Sequence, residues 1–395
     1  MDGKSHPALL PAGLVDLLPP EAEFEASVMD GLMAAFARYG YERVTPPLIE
    51  FEDSLLGGSG AALAPQTFRV MDPVSQRMLG VRPDMTLQIA RIATSRLGEI
   101  PRPLRLSYAG QVLRVKGTPH RPERQFGQVG AELIGASSSR ADAEIILMAA
   151  TSLRNLGVSG LSVDLGLPTL VRALFQHLDL TGKPVGERLR DALDHKDVAA
   201  VAAIPGIPVE LFETLINVAG PAEAALAKLR ALKLPMTAAR EIDQLAAVVN
   251  AVRAGSPDLK LTFDPVEFRG FEYHVGVTFT LFSDTVRGEL GAGGRYLAGG
   301  EEDLGGGEPA TGLTLYVDAL LRGLPRPLRV ERVFLPAGMP TSIADRLRGE
   351  GKTVVAALEE GHNTLDEARR LGCTHIYADG EVKTLSVDSG TKSRS

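Results

Sequence analysis

The 395-residue chain has no tryptophan, one cysteine and only 5% aromatic residues. A lone Cys373 cannot close an internal disulfide and rules out a Cys-rich zinc site, which together point to a reducing, cytoplasmic setting. Neither sign of charge dominates. The 42 basic and 49 acidic residues leave a net −7 with no long single-sign block, so the electrostatic footprint of a dedicated nucleic-acid binder is missing and no nucleic-acid partner is expected. No stretch approaches the ~18 uninterrupted apolar residues of a membrane span, and Met1 to Pro11 lacks a basic region leading into an apolar core, so membrane anchoring and secretion are both unexpected. Metal chemistry lacks its signatures too. There is no His-Glu-x-x-His, no nucleophile elbow and no paired ligand spacing, and the seven histidines are scattered singly, so no metal or cofactor is expected.

What is present is a globular composition, 44% hydrophobic with 42 glycines and 26 prolines, long enough for roughly two or three domains. Behind Pro19 and Pro20, the spacing of Phe24, Val28, Met29, Leu32, Met33 and Phe36 predicts an amphipathic helix over Glu21 to Tyr39. Tyr41 to Ile49 reads as extended, and Ala61 to Leu79 as a hairpin turning at Asp72 and Pro73. A helix is predicted over Met85 to Arg96. A long antiparallel hairpin follows from Leu104 to Leu113 and Arg124 to Ile134, then a helix over Asp142 to Leu156 and a strand over Leu161 to Leu165. From about Leu167 to Ala254, Ala and Leu dominate, Gly and Pro punctuate short helical runs and strand signals vanish, which predicts an all-helical insertion. Strands resume at Leu259 to Phe263, Tyr273 to Phe282 and Val286 to Leu290. A strand-to-helix unit at Ala310 to Leu321 ends this body, and Arg322 to Arg329 reads as a linker. Beyond it the pattern is that of a small parallel α/β domain, and the tail from Val387 is predicted to be disordered.

Candidate chemistry concentrates on the long hairpin. Residues two apart share a strand face, so Gln128, Gly130 and Glu132 point one way while Val129, Ala131 and Leu133 point the other. An amide and a carboxylate flanking a glycine can accept hydrogen bonds from an ammonium group; the plainer reading, equally open on pattern alone, is that this face meets water. Arg114, where the first strand ends, could fork onto a ligand carboxylate or simply be a surface arginine. Asp84 and Thr86, in Arg82-Pro83-Asp84-Met85-Thr86, stand where they could cap the next helix. Arg269 to His274 precede a strand and could bring a guanidinium and a phenol to the same place. Gly291-Ala292-Gly293-Gly294-Arg295-Tyr296 lacks a complete phosphate-loop pattern and reads as a hairpin turn.

Taken together, residues 11–19, Arg82 to Thr86, Leu113-Arg114, Arg124 to Gly135, Arg269 to Tyr273 and Gly293 to Tyr296 resemble, in order and spacing, the catalytic core of histidyl-tRNA synthetases over about residues 9 to 325. The resemblance implies an α+β fold of the class II aminoacyl-tRNA synthetase type: an antiparallel sheet core over 1–325, with a helical insertion at about 167–256. It also implies a small C-terminal α/β domain over 329–386 resembling a shortened anticodon-binding domain, and a tail over 387–395. It further implies a histidine pocket: Asp84 and Thr86 near the ligand ammonium, Gln128 and Glu132 on the ammonium and neighbouring polar atoms, and Arg269 directed at the ligand carboxylate, with Arg114 counted in the same ligand-binding set. Tyr273 and Tyr296 stand around the imidazole, with His274 replacing the second tyrosine of the synthetase pair.

On the nucleotide side the pattern departs from the synthetases. Where they read Gly-Leu-Glu-Arg, this chain has Tyr316-Val317-Asp318-Ala319, so the triphosphate-binding arginine is an alanine. After Arg114 the expected acidic residue is Lys116, and Gly117 replaces an arginine. Each charge-assisted hydrogen bond to a polyanion is worth ~1.5–3 kcal/mol, so adenylate formation is expected to fail. The combination resembles the family of ATP phosphoribosyltransferase regulatory subunits. That resemblance implies a non-catalytic chain, a homodimer within a hetero-octamer, partnered by a short-form catalytic subunit and taking histidine as effector in the first step of histidine biosynthesis. A divergent histidyl-tRNA synthetase and a free-standing histidine-binding module are the alternatives.

Overall fold

The structure is a computed structural model, and it describes residues 9–117, 121–267, 274–299, 306–326, 331–359 and 363–385. The sites expected at Arg269 and Tyr273 and the tail from residue 387 lie outside the described residues. The chain divides into two compact units, Met1–Pro325 and Arg326–Ser395.

In the first unit, α1 (Glu21–Arg38) buries Val28, Leu32, Met33 and Phe36, the stripe set by helical spacing. There follow β1 (Glu42–Arg43), β2 (Ile49–Phe51), α2 (Glu52–Leu55), a 3-10 segment (Gly58–Gln66), β3 (Phe68–Met71), β4 (Met78–Val81) and α3 (Thr86–Ser95). The long hairpin is β5 (Leu104–Leu113) and β6 (Gln125–Ile134), paired antiparallel from Leu104 opposite Ile134 to Leu113 opposite Gln125. Next come α4 (Ser139–Leu156), stopped by Gly157 in the left-handed conformation, and β7 (Leu161–Gly166). The helical stretch comprises α5 (Pro168–His177), α6 (Pro184–Asp194), α7 (Val198–Ala202), α8 (Val209–Asn217), a short β8 (Gly220–Pro221), α9 (Ala222–Arg230) and α10 (Met236–Gly255). The unit closes with β9 (Lys260–Asp264), β10 (Thr278–Ser283), β11 (Val286–Ala298), β12 (Glu308–Tyr316) and α11 (Val317–Gly323).

One nine-stranded sheet runs β1-β5-β6-β12-β11-β10-β7-β9-β8, and β2-β4-β3 form a small separate sheet. Pairing is antiparallel from β5 through to β7, with parallel contacts of β1 on β5 and of β7 on β9. Val129, Ala131, Leu133, Leu313, Leu315, Phe279 and Val163 turn one face of this sheet into the main core, shared with α1, α4 and α10. The other face carries a second cluster in which Met85, Ile89, Ala90 and Ala93, at and in α3, pack on Leu106, Tyr108, Ile134 and Tyr296. A helix thus seals part of the face that the sequence left open to water.

The second unit is smaller. Strands β13 (Arg332–Leu335), β14 (Thr353–Ala356), β15 (His375–Ala378) and β16 (Glu381–Thr384) pair in the order β14-β13-β15-β16, with α12 (Thr341–Gly349) and α13 (Thr364–Arg370) between them. Alternation along β13 sends Val333 and Leu335 to one side with Ala344 and Leu347 of α12. Phe334 goes to the other side with Ala368 of α13 and the buried Cys373. Among the described residues no helix is long and apolar enough to cross a membrane.

Several sequence expectations need correction. Gly291 to Tyr296 is no turn but the middle of β11, paired with β10 and β12; a run of glycines looks like a turn until the bulky side chains it accommodates are seen. The first third of the expected hairpin at Ala61 to Leu79 is 3-10 helical, and only β3 and β4 pair. The helical stretch holds the short strand β8 against β9. Finally, β16 returns antiparallel, so the small domain is not wholly parallel.

Arg295 ties the layers together. Its guanidinium donates to Asp142 Oδ2 at 2.8 Å, Ala136 O at 2.9 Å and Ser138 O at 3.0 Å, joining β11 to the start of α4. Both partners are buried, so removing one strands a charge in the core. Arg295→Ala is expected to cost about 3–5 kcal/mol, read as a lowered urea midpoint; an unchanged midpoint would show that the pair adds no net stability.

Candidate ligand-binding site

Register places the functional side chains. Glu132 on β6 lies opposite Leu106 on β5 and Gly312 on β12, and Gly312 lies opposite Gly294 on β11. One step along, Tyr108, Gly130, Thr314 and Ala292 form the next row, followed by Gly110, Gln128 and Tyr316. Opposed residues share a face, so Glu132, Tyr108, Thr314, Gln128 and Tyr316 project together, with Tyr296 one row before them. The glycines are the counterpart of these side chains. A Cβ on Gly130 would fall on the Tyr108 ring, one on Gly312 on the Glu132 carboxylate, and one on Gly294 would stand 2.7 Å from His274 Cδ2. Three large polar side chains lie flat over bare backbone.

The segment entering α3 supplies the opposite wall. Asp84 Oδ1 accepts from the Thr86 backbone N–H at 2.8 Å, which satisfies one free donor of the helix start. Asp84 Oδ2 accepts from Gln128 Nε2 at 2.6 Å, while Gln128 Oε1 accepts from the Met85 N–H at 2.9 Å. Gln128 is fully buried and both ends of its amide are used, so it locks Asp84 to the sheet. Arg114 donates from Nε to Pro83 O at 3.2 Å and brings its guanidinium to 3.9 Å from Asp84 Oδ2. Its side chain is mostly covered, which excludes the surface-arginine reading.

Glu132 is 1% exposed. Its Oε2 accepts from the Tyr296 hydroxyl at 2.9 Å and its Oε1 from the Tyr108 hydroxyl at 3.3 Å; that hydroxyl also lies 2.9 Å from Thr314 Oγ1 and 3.2 Å from Thr86 Oγ1. Burial pushes the Glu132 carboxyl up to about 8; the Tyr296 hydroxyl pulls it down and the charge of Asp84 pushes it further up. Burial also raises the Tyr108 phenol well above its usual range. Beside this network lies a small cavity of about 30 Å³ lined by Thr86, Glu132, His274, Tyr296, Gly312 and Thr314. It is far smaller than the roughly 300–1,000 Å³ of sites for drug-sized molecules.

Past Gln128 the same face changes character. Tyr316 is the cross-strand partner of Gln128, and its ring packs edge-on against Phe126 with centroids 6.1 Å apart. Arg121 caps it, with its guanidinium carbon 3.6 Å from the Tyr316 centroid and 5.0 Å from that of Phe126. The guanidinium is pinned by Asp318 at 3.3 Å and Glu289 at 3.7 Å. Ala319 has no exposed surface and belongs to the main core. No cation projects from that position.

Of the residues expected from sequence, Asp84, Thr86, Gln128, Glu132 and Tyr296 converge, and Arg114 stands behind Asp84. Sequence reasoning missed Tyr108 and Thr314. Tyr108 was within reach, because the hairpin register that opposes Leu104 to Ile134 also puts it opposite Gly130. Thr314 was not, since nothing local announces that β12 pairs with β6.

A family model described as histidyl-tRNA synthetase matches residues 13–320. The ATP phosphoribosyltransferase regulatory subunit of Paramagnetospirillum magneticum is 56% identical over 384 residues, covering 97% of this chain and 100% of that one. Its counterpart in Gluconobacter oxydans is 48% identical over 379 residues, covering 96% and 97%. Among solved structures, an ATP phosphoribosyltransferase regulatory subunit/histidyl-tRNA synthetase from Bacillus halodurans superposes with a TM-score of 0.80 at 24% identity, covering 93% of this chain and 97% of that one. A histidyl-tRNA synthetase from Nostoc gives 0.77 at 19% identity, covering 94% and 91%. These structures bear out the class II synthetase-like fold, with its large mixed sheet.

The buried carboxyl has a signature in stability. Burial pushes the Glu132 carboxyl from 4.5 in the unfolded chain up to about 8 in the fold, so the folded state holds the extra proton between those values. Stability is therefore greatest below about pH 4.5 as far as this group is concerned, and it is lost as pH rises to about 8. Glu132→Gln should remove this decline, which urea midpoints across that range will show; parallel curves for the two proteins would deny it.

Proposed function

The chain belongs to the family of ATP phosphoribosyltransferase regulatory subunits, and from that premise we propose that it is a non-catalytic partner that activates a short-form catalytic subunit and delivers feedback inhibition by histidine. The assembly in this reading is a cytoplasmic hetero-octamer built on homodimers of this chain.

The observation that carries the reading is the unequal fate of two neighbouring regions of one sheet face. Asp84, Gln128 and Glu132 keep a closed, hydrogen-bonded place for an amino acid. Across the Gln128–Tyr316 pair, where the synthetase resemblance puts the nucleotide, a tyrosine ring and a pinned Arg121 take up the space, and Ala319 sits in the core. Stabilising charge on a transferring phosphoryl group needs fixed cations aimed at it, and an alanine methyl offers none.

Regulation then follows from linkage. Histidine held by Asp84, Thr86, Gln128 and Glu132, with Arg114 behind Asp84 and with Arg269, Tyr273 and Tyr296 completing the set, favours a conformation in which the catalytic subunits are less active. Any coupling must be reciprocal in binding free energy and is typically worth ~1–3 kcal/mol, so histidine and the catalytic substrates oppose each other.

The direct test mixes the purified chain with a short-form catalytic subunit and follows phosphoribosyl-ATP formation with and without histidine; stimulation by the chain and inhibition by histidine are expected. Glu132→Ala should raise the inhibitory histidine concentration at least about tenfold while activation persists. Loss of activation as well would assign Glu132 a structural role. Arg269→Ala should lower calorimetric affinity for histidine, and unchanged affinity removes Arg269 from the site. Histidine-dependent exchange of pyrophosphate into ATP should be absent, whereas measurable exchange would make the chain a divergent synthetase.

A further inference from the structure

Among the described residues, the pocket assigned to histidine holds one carboxyl group with no paired cation. Glu132 lines the cavity, and the carboxylate of Asp84 is close enough to act on it electrostatically. Asp84 has the Arg114 guanidinium at 3.9 Å together with hydrogen bonds from Gln128 and the Thr86 N–H. Glu132 has no ion pair among the described residues, and its oxygens meet hydroxyls instead: Tyr108 from β5, Tyr296 from β11 and Thr86 at the start of α3. Among the described residues the cavity wall also carries two titratable groups, His274 ahead of β10 and the Tyr296 phenol of β11; β12 contributes Gly312 and Thr314, neither of which titrates. A charge fully withdrawn from water without a counter-charge is costly, and the cheaper state is the neutral acid.

The hydrogen bonds around Glu132 suit either state. A hydroxyl can donate or accept, and the Tyr108 hydroxyl is within reach of Glu132 Oε1, Thr314 Oγ1 and Thr86 Oγ1. When Glu132 is ionised, Tyr108 donates to it. When it is protonated, the relay turns round and Tyr108 accepts from it while donating to a threonine. Neither state leaves a buried polar atom stranded, so the carboxyl can change charge without repacking.

We propose that the ligand is taken up by exchange with a proton: as a protonated amine enters the space beside Asp84 and Glu132, the O–H bond of the Glu132 carboxyl breaks and its proton passes to the solvent buffer. Binding then releases about one proton near neutral pH, and inhibition by the ligand strengthens as pH rises toward the region where Glu132 ionises unaided. No covalent bond to the ligand forms. This deepens the histidine reading and rests on it. It also names the feature the pocket selects, a single positive charge that can stand in for the lost proton.

Titration calorimetry of the full chain with L-histidine, repeated near pH 7 in buffers of different ionisation enthalpy, reads the number of protons exchanged. About one proton released by the wild type and close to none by Glu132→Gln is expected. Histidinol, which keeps the amine, should release the proton as histidine does, and imidazolepropionic acid, which lacks it, should bind without release. A cooperative urea transition for Glu132→Gln, run beside that of the wild type, guards against misreading a misfolded variant. Binding of histidine by the wild type with no proton exchanged, or equal release by Glu132→Gln, overturns the exchange while leaving the histidine reading intact. Failure of histidine to bind the wild type or to inhibit the assembled enzyme overturns both.

Discussion

A carboxyl group that water cannot reach must be held by its neighbours, and the site in this chain is arranged around that requirement at Glu132. The group lies flat on the backbone of β12, which is possible only because its cross-strand partner is Gly312. Tyr108 lies over Gly130 in the same way, and His274 over Gly294. Each large polar side chain therefore has a glycine beneath it on the adjoining backbone, and an added methyl at any of the three would displace the group it supports. Met85 and Thr86, at the start of α3, then close the space from above, so the polar cluster ends up between a sheet and a helix instead of in solvent.

This arrangement shows which parts of the molecule a single sequence reveals. Where information is local, it was legible. The stripe of α1, the β5–β6 hairpin and the two faces of β6 follow from periodicity, and the motifs at Asp84 and Glu132 carry enough pattern for the synthetase-like fold to be expected. What stayed hidden depends on partners distant in sequence. Gly291 to Tyr296 looks like a turn because glycine is the usual turn residue, and only the pairing of β11 with β10 and β12 shows that these glycines make room for His274 and Phe279. Arg114 looked like a surface residue because the carbonyl of Pro83 and the carboxylate of Asp84 that engage it lie about thirty residues away.

The two regions of this face also differ in what the proposed function asks of each. Holding an amino acid calls for hydrogen-bond donors and acceptors fixed on rigid strands, and Gln128, whose amide is used at both ends, supplies such fixity. Driving phosphoryl chemistry calls for cations that are available to the substrate. Arg121 has the right charge, yet it is pinned by Asp318 and Glu289 and stacked on Tyr316, so its field is already neutralised by the chain itself.

These regions meet at one cross-strand pair, Gln128 with Tyr316. Because side chains in successive rows of a sheet are carried by separate residues on a common backbone, one row can be refilled while the next keeps its geometry. Tyr316 fills the side of Gln128 away from the pocket without touching the bonds that Gln128 makes to Asp84 and Met85. In the proposed reading, a sheet of this kind gives up a reaction and retains recognition of one reactant. Recognition retained without turnover is what a regulator requires, since its ligand must leave unchanged for the signal to be reversible.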